Sequence, residues 1–325
     1  MTTITTALTE LLRLRAPIAN APMTPAAGGE LARAVGDGGG FGMLGFDEDE
    51  SEEDIRAQIA ILRRDGERDF GIGLAAWVIE RRPQLLDVAL AARPKLVSIS
   101  FGDPTPYIAK IKAAGIIASS MVQSRAWART ALDAGADVLV AQGTEAGGHT
   151  GNVGTLPLLQ IVLDLTDKPV FAAGGIATGR GVAAVLAAGA AGAWIGTPFL
   201  VARESRSPKS AQERVLASDE TQTIKTHVYD RLQEKPWPEE FGGRALRNPF
   251  AERWDGREDE LMKTPGAVAE FKEARASRDY TRAHIYAGQS VGLVDKVESA
   301  DEIVKRLNDD AVRRLAGCAS LLRTL

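Results

Sequence analysis

One short segment of this 325-residue sequence brings together residue types that could carry out proton chemistry. Residues 142–151 have the sequence QGTEAGGHTG, in which glycines allow the backbone to approach a ligand closely and His149 stands near the end. Because an imidazole titrates near physiological pH, His149 could act as a general base or acid. A lone histidine is often structural instead, and the residues alone leave both interpretations open. His227 and His284 lack such surroundings and are expected to be ordinary polar or core residues.

Two later segments have the pattern of an anion site. Gly174 and Gly175 precede a predicted helix start at residues 178–181, and Gly196 and Thr197 precede another helical stretch. Free backbone N–H groups at helix starts, with glycines that permit close approach, can bind a phosphate. The pattern therefore indicates a phosphorylated ligand, with a purely structural use of the glycines as the alternative.

All three segments follow short apolar runs that alternate with stretches of helical spacing, a pattern typical of βα units in a parallel sheet. The predicted strands cover residues 18–23, 41–45, 70–76, 96–102, 116–121, 138–143, 170–175 and 193–196. The predicted helices lie near residues 28–36, 51–65, 83–92, 104–114, 124–134, 156–164, 179–188 and 209–218.

This alternation predicts an α/β fold, a (β/α)8 TIM barrel, with an open doubly wound sheet as the alternative. In a barrel the ligand site lies at the C-terminal ends of the strands, where the three segments are placed. Residues 182–202 are uncharged and long enough to cross a bilayer. Because glycines and Pro198 interrupt them, we expect a buried helix followed by a buried strand instead.

The alternation of predicted strands and helices ends after residue 220. Residues 221–283 are rich in charge, proline and aromatic side chains and offer no clear strand. They are expected to form an insertion, either a surface subdomain with its own small core or a lid over substrate. Residues 284–325 are expected to return to the barrel and to end in a closing helix, because apolar residues recur there at helical spacing. Residues 1–220 would then be the ligand-binding barrel.

Charge and cysteine content narrow the function class. The chain has 39 Lys+Arg and 43 Asp+Glu, a net charge of −4, and no basic cluster, so neither nucleic acid nor a membrane surface is an expected partner. A single cysteine excludes an intrachain disulfide and favours the cytoplasm. The sequence leaves open whether the chain is a monomer or a homodimer.

Missing motifs narrow the chemistry further. There is no dinucleotide fingerprint after the first strand, no P-loop, no spacing of His, Cys or carboxylates typical of a metal centre, and no serine nucleophile in the strand-six loop. With no metal ligands and no thiol centre, redox chemistry would require a bound cofactor. A barrel with a phosphate site and one poised histidine fits FMN.

The segments AQGTEAGGHTG, VFAAGGIATGRG and AWIGTPFLVARES, with APM at the first strand end and YAGQSVGL near residue 290, resemble the nitronate monooxygenase family. The resemblance runs from about residue 15 to 205 and resumes at 284–298. It implies a (β/α)8 barrel that binds FMN non-covalently. By position it implies that His149 is the active-site histidine, and that the cofactor is bound by Ala21, Pro22, Met23, Gln142, Gly147, Gly174, Gly175, Gly196, Thr197, Gly288 and Gln289.

The sequence departs from the family pattern at two places. Gly73 stands where some members have an asparagine that could contact the flavin. Met121 stands where some members have lysine or glutamine, and Gln123 is a candidate substitute. The flavin contacts at these two strand ends therefore stay open.

The resemblance implies FMN-dependent oxidation of alkyl nitronates, and of nitroalkanes, by O2 to carbonyl compounds and nitrite. His149 would remove the acidic α-proton of a neutral nitroalkane. One alternative is a flavin-dependent NAD(P)H reductase of the enoyl-ACP reductase or quinone reductase type, which shares the barrel and the same loops. A second alternative is a non-catalytic flavin- or phosphate-binding barrel.

Overall fold

The computed structural model describes residues 3–318, and its core is a parallel β-barrel. The barrel strands are β1 (Ile18–Asn20), β2 (Met43–Gly45), β3 (Gly71–Ala75), β4 (Leu96–Ser100), β5 (Ile117–Val122), β6 (Val138–Gln142), β8 (Val170–Ala173) and β9 (Gly192–Ile195). Three further strands form a second sheet, namely β7 (Gly148–Thr150), β10 (Thr223–Thr226) and β11 (Gly242–Leu246).

The barrel strands lie in the order β1-β9-β8-β6-β5-β4-β3-β2, and every neighbouring pair is parallel. A parallel bridge between Ala19 and Phe41 joins the two ends of this order. The sheet is therefore closed, which confirms the predicted (β/α)8 barrel and excludes the open sheet.

Helices surround the barrel strands, except that the first helix (Ala7–Leu12) packs through Leu8 and Leu12 against side chains of the barrel interior. Those that belong to the barrel are α1 (Ala7–Leu12), α2 (Gly29–Asp37), α3 (Glu52–Leu62), α4 (Ala76–Arg81), α5 (Gln84–Ala91), α6 (Thr105–Ala113), α7 (Arg125–Asp133), α8 (Thr155–Leu163), α9 (Gly179–Ala187), α10 (Thr197–Leu200) and α11 (Lys209–Leu216). The later ones are α12 (Val228–Gln233), α13 (Pro249–Trp254), α14 (Glu258–Met262), α15 (Pro265–Ser277), the 3₁₀ helix Gln289–Leu293 and α16 (Ala300–Cys318).

Local sequence signals set several of these boundaries. At α3, the Ser51 hydroxyl accepts a bond from the Asp54 N–H at 3.1 Å, and the Asp54 carboxylate accepts one from the Ser51 N–H at 3.0 Å. This reciprocal pair satisfies two N–H groups that a helix start leaves free. The uncharged run at residues 182–202 folds as most of α9, then β9 and α10. No helix in residues 3–318 is long and apolar enough to span a membrane.

The prediction that residues 221–283 contain no strand was wrong. Strands β10 and β11 lie in this segment, and β11 pairs antiparallel with β7, which belongs to the glycine-rich loop after β6. The sequence pattern did not indicate these strands, because β11 begins with two glycines and its partner β7 is only three residues long. The sheet ties the insertion to the loop that carries His149.

The aromatic residues of the insertion divide between two environments. Phe250 and Trp254 pack with Tyr229 and Phe271 in a core of the insertion itself. Trp237 and Phe241 instead pack edge-on against Phe101 at the end of β4, with ring centroids 5.1 and 5.5 Å from it. The segment therefore has its own core and also covers the strand ends of the barrel.

The predicted closing helix is α16, which packs against α9 and α2. Its buried face carries Ile303, Val304 and Leu307. Residues 1–2 of the predicted barrel segment and residues 319–325 of the predicted C-terminal segment lie outside the described residues.

Candidate active site

A cavity of about 600 Å³ opens at the C-terminal ends of the barrel strands. Most of the residues that the sequence predicted for the site line it, and these are Ala21, Pro22, Met23, Gln142, Gly147, His149, Gly174, Gly175, Gly196, Thr197 and Gly288. Gln289 does not line the cavity. Its side chain is exposed, and its backbone N–H donates to the Glu145 carbonyl at 2.9 Å.

His149 lies on β7 directly opposite Gly243 of β11 and is only 5% exposed. Its Nε2 is 2.7 Å from Oδ1 of Asp230, a buried carboxylate at the third position of α12. The indole of Trp237 lies flat against the imidazole, with centroids 3.3 Å apart and an interplanar angle of 6°. Two residues of the insertion therefore fix both the rotation and one face of this ring.

The surroundings of His149 favour its neutral form. Burial lowers the pKa of His149, and the hydrogen bond and charge of Asp230 only partly oppose this, so that the pKa lies below its usual value. With Nε2–H donated to the carboxylate, Nδ1 carries the lone pair. Nδ1 has no hydrogen-bond partner in the described part of the chain, so it can accept a proton from a ligand.

Two further titratable side chains at the cavity, His284 and Tyr286, are also uncharged. Burial lowers the pKa of His284 to about 3, and burial raises the pKa of Tyr286 well above its usual value. Both side chains line the cavity. Oδ2 of Asp230 lies 3.3 Å from Nδ1 of His227, without the alignment of a hydrogen bond. The Asp230 carboxylate therefore forms its hydrogen bond with His149 and not with His227.

The part of the cavity wall formed by the ends of β8 and β9 offers hydrogen-bond donors. The backbone N–H groups of residues 174–177, after β8, donate to no other group within residues 3–318, and the same holds for Gly196 and Thr197 after β9. Ile176 and Ala177 are 5% and 2% exposed. Because buried N–H groups are nearly always paired, these donors fit a phosphate that would complete them.

Backbone geometry accounts for the glycines in different ways. Gly174 has φ +107°, and a Cβ there would lie 2.7 Å from Oγ1 of Thr155, so a side chain is excluded. A Cβ on Gly147 would lie 2.6 Å from the Ala287 carbonyl carbon, and one on Gly288 would lie 2.7 Å from the Glu145 carbonyl oxygen. The last two glycines allow two loops to pack closely, which is a structural requirement independent of any ligand.

The two positions that depart from the family pattern also have physical explanations. A Cβ on Gly73 would lie 2.4 Å from Cγ of Pro22, so the neighbouring strand end leaves no room for an asparagine. Met121 lines the cavity, whereas Gln123 does not. Gln123 instead donates from Nε2 to Oε1 of Gln142 at 2.9 Å and thereby orients that side chain in the cavity wall.

The sequence did not predict that Asp230 pairs with His149 or that Trp237 stacks on the imidazole ring. Asp230 follows His149 by 81 residues and lies in a charged segment, where nothing distinguishes it from other acidic residues. A strand in the insertion would have been the only signal that this segment returns to the histidine loop. His149 itself is brought into the cavity as the sequence predicted.

Comparison with known proteins identifies similar chains. The family model described as "Nitronate monooxygenase" matches residues 74–310. A nitronate monooxygenase of Neurospora crassa is 31% identical over 92% of this chain and 89% of its own length. A Rhodococcus jostii protein is 36% identical over 67% of this chain, and the chain spans 61% of that relative's length. Its name is (3aS,4S,5R,7aS)-5-hydroxy-7a-methyl-1-oxo-octahydro-1H-indene-4-carboxyl-CoA dehydrogenase.

The fold also has a similar solved structure, that of FabK from Thermotoga maritima. The two chains superpose with a TM-score of 0.85 at 29% sequence identity, and the superposition covers 98% of this chain and 100% of the other. The similarity extends over the barrel and the insertion together.

Proposed function

Because the chain belongs to the nitronate monooxygenase family of flavin oxidoreductases, we propose that it oxidises alkyl nitronates, and nitroalkanes, with O2. The products are a carbonyl compound and nitrite, and the cofactor is FMN. The observation that carries the proposal is the buried His149–Asp230 pair, which lies at the same cavity as the free backbone donors after β8 and β9.

The residues at the ends of β8 and β9 fit the phosphate of FMN. The N–H groups of residues 174–177, Gly196 and Thr197 would bind its oxygens, and Gly174 would keep the loop open to them. Ala21, Pro22, Met23, Gln142 and Gly147 would line the flavin. When bound, FMN would supply the acceptance of electrons from the substrate and the reaction with O2.

His149 supplies the proton chemistry for a neutral nitroalkane. Nδ1 accepts the α-proton, so that the C–H bond breaks, an N–H bond forms, and the electron pair stays on the substrate as the nitronate. The imidazolium that results has the Asp230 carboxylate 2.7 Å away on its other nitrogen, which stabilises the charge. Trp237 and Phe101 exclude water from the same side of the ring.

A substrate that is already ionised needs no base. For an alkyl nitronate, His149 would only orient the anion, together with the free backbone donors. This difference between neutral and ionised substrates separates the role of His149 in proton transfer from any role in binding.

The test compares His149→Ala with the parent protein, both loaded with FMN, on nitroethane and on ethylnitronate. We expect kcat/KM for nitroethane to fall about 100-fold or more, because general base catalysis contributes about that much. The value for ethylnitronate should fall far less. His149→Gln, which retains a donor for Asp230, serves as the control for folding. If His149→Ala bound FMN and oxidised nitroethane at the parent rate, the assignment of the base would be wrong.

The second candidate is a flavin-dependent reductase that uses NAD(P)H. The similarity to FabK over nearly the whole chain supports it, as does the relative named as a CoA dehydrogenase. Anaerobic mixing separates the two functions, because bleaching of the flavin by nitronate alone supports the monooxygenase and bleaching by NAD(P)H alone supports the reductase. Bleaching by neither would support a non-catalytic barrel.

A further inference from the structure

The rim of the cavity carries more positive charge than the proposed reaction uses. Arg206, Arg275 and Arg278 are exposed residues that line the cavity, and within residues 3–318 none of their guanidinium groups forms an ion pair or a hydrogen bond. The remaining charged lining residues, Lys235 and Asp47, pair with each other. Three cations are therefore left without partners around one opening, on a chain whose net charge is −4.

The three arginines come from two segments that line the same cavity, Arg206 after α10 of the barrel and Arg275 and Arg278 at the end of α15 of the insertion. The Arg206 backbone N–H donates to the carbonyl of Ala26 at 3.1 Å, and Ala26 belongs to the apolar cluster against which Tyr280 packs. Arg275 and Arg278, at the end of α15, lie within electrostatic range of the Tyr280 phenol. Tyr280, which also lines the cavity, thus lies near the two insertion arginines and packs on the same apolar cluster as Ala26.

Neighbouring groups only partly reduce this positive charge. Glu50 and Asp54 lie within electrostatic range of Arg206, although neither forms an ion pair with it. The guanidinium of Arg275 lies 5.9 Å from the centroid of the Phe271 ring, which positions it without neutralising it. A cleft lined by one sign of charge attracts ligands of the opposite sign.

Neither the cofactor nor a small nitronate accounts for these arginines. The free backbone donors after β8 and β9 provide for one phosphate, and a nitronate carries a single charge that His149 faces from the interior. Guanidinium groups are suited to bidentate binding of phosphate oxygens. The positive charge of the three arginines therefore fits a polyanionic group that stays at the rim while the reactive end of the same molecule enters the cavity.

We propose that Arg206, Arg275 and Arg278 bind the diphosphate of an adenine nucleotide arm carried by a substrate or co-substrate. Two sources share this chemistry, namely a coenzyme A thioester and a nicotinamide dinucleotide. The proposal rests on the proposed function in placing the reacting centre at His149 and the flavin. It adds that the physiological ligand extends from this centre to the rim.

The test uses ADP as the probe and calorimetric titration of the FMN-loaded protein. We expect the double variant Arg275→Gln/Arg278→Gln to bind ADP at least 10-fold more weakly than the parent, and the affinity of the parent to fall with increasing salt. Arg129→Gln is the matched control, because Arg129 is exposed on α7 and does not line the cavity. Oxidation of propyl-1-nitronate, which lacks a phosphate, should stay within about twofold in all these variants, since Coulomb steering of a single charge is weak in salt.

Competition distinguishes the two sources. Displacement of ADP by coenzyme A but not by NADPH assigns the rim to a thioester substrate, and the opposite result assigns it to the nicotinamide nucleotide. Displacement by both supports the shared diphosphate chemistry.

Three results would overturn the proposal. These are no binding of ADP at millimolar concentration, equal binding in the parent and the double variant, or ADP that neither coenzyme A nor NADPH displaces. A parallel loss of FMN affinity in the double variant would also overturn it, because the arginines would then serve the cofactor. ADP binding requires no turnover, so an arginine-dependent affinity in a protein that fails to oxidise nitronates would contradict only the proposed function.

Discussion

Replacing Asp230 by asparagine tests whether the buried carboxylate supports proton transfer to His149. The side chains are similar in size, and an asparagine oxygen can still accept from Nε2 of His149 at the observed 2.7 Å. The substitution therefore removes the negative charge while retaining the packing. Asp230→Asn changes how well the site stabilises an imidazolium and little else.

The expected magnitude follows from the contact itself. A hydrogen bond to a charged group contributes about 1.5–3 kcal/mol. Because His149 gains its charge only as the proton arrives, most of this energy is realised in the transition state, which corresponds to a loss of roughly 10- to 150-fold in rate. An ionised nitronate requires no such charge on His149, so its oxidation should change by less than about threefold, within the effect of an exposed ion pair.

The pH dependence gives a second, independent result. Asp230 raises the pKa of His149 against the larger effect of burial, so its removal lowers that pKa further. His149 acts as a base only above its pKa. The acid limb of kcat/KM for nitroethane should therefore move to lower pH in Asp230→Asn.

The assay is oxygen consumption with nitroethane and with ethylnitronate across pH, on protein of equal FMN content. Asp255→Asn is the matched control, because Asp255 is an exposed aspartate of the same insertion without an ion pair among the described residues. An equal loss on both substrates would refute the reasoning, since it would indicate a structural or binding role. An unmoved acid limb would refute the electrostatic argument even if the rate fell.

Three further predictions concern other parts of the structure. Gly174→Ala should weaken FMN binding at least 10-fold (about 1.4 kcal/mol), because φ is +107° and a Cβ would meet Thr155. The control Gly66→Ala, at a position with φ +121° and open space, should leave FMN binding unchanged. Equal FMN affinities of the two variants in a fluorescence titration would argue against phosphate binding by the backbone donors after β8 and β9. Trp237→Ala should expose His149, raise its pKa and move the acid limb to higher pH, whereas an unmoved or lowered limb would argue against burial as the main cause. Asn248→Ala should lower the free energy of unfolding, measured with urea, by about 2–4 kcal/mol, because the side chain caps α13 and donates a hydrogen bond to the Tyr229 hydroxyl. A decrease of less than about 0.5 kcal/mol would refute this prediction.

The barrel could be predicted from sequence because its signals are local. Each barrel strand is a short apolar run, Ser51 marks the start of α3 by its capping side chain, and Gly115, with φ +73°, follows the end of α6. The same holds for His149 and Gly174, which lie in glycine-rich segments directly after strands. Local periodicity and capping are therefore sufficient for the scaffold and for the residues placed at its strand ends.

The partner of His149 could not be predicted in this way. Asp230 reaches His149 only because β11 pairs with β7, a contact between segments far apart in the chain. The glycines of β11 give no strand pattern, and one aspartate in a polar segment resembles any other. Long-range pairing of a short, glycine-rich strand leaves no periodic signal, so the insertion was predicted only as a surface decoration or a lid.

The central claim is that this barrel uses a flavin to oxidise nitronates. The most direct measurement is anaerobic rapid mixing of the FMN-loaded protein with propyl-1-nitronate while the visible absorbance of the flavin is followed. We predict that the nitronate bleaches the flavin within the turnover time and that admission of O2 restores the colour with release of nitrite. A flavin that stays oxidised with nitronate but bleaches with NAD(P)H would contradict the account.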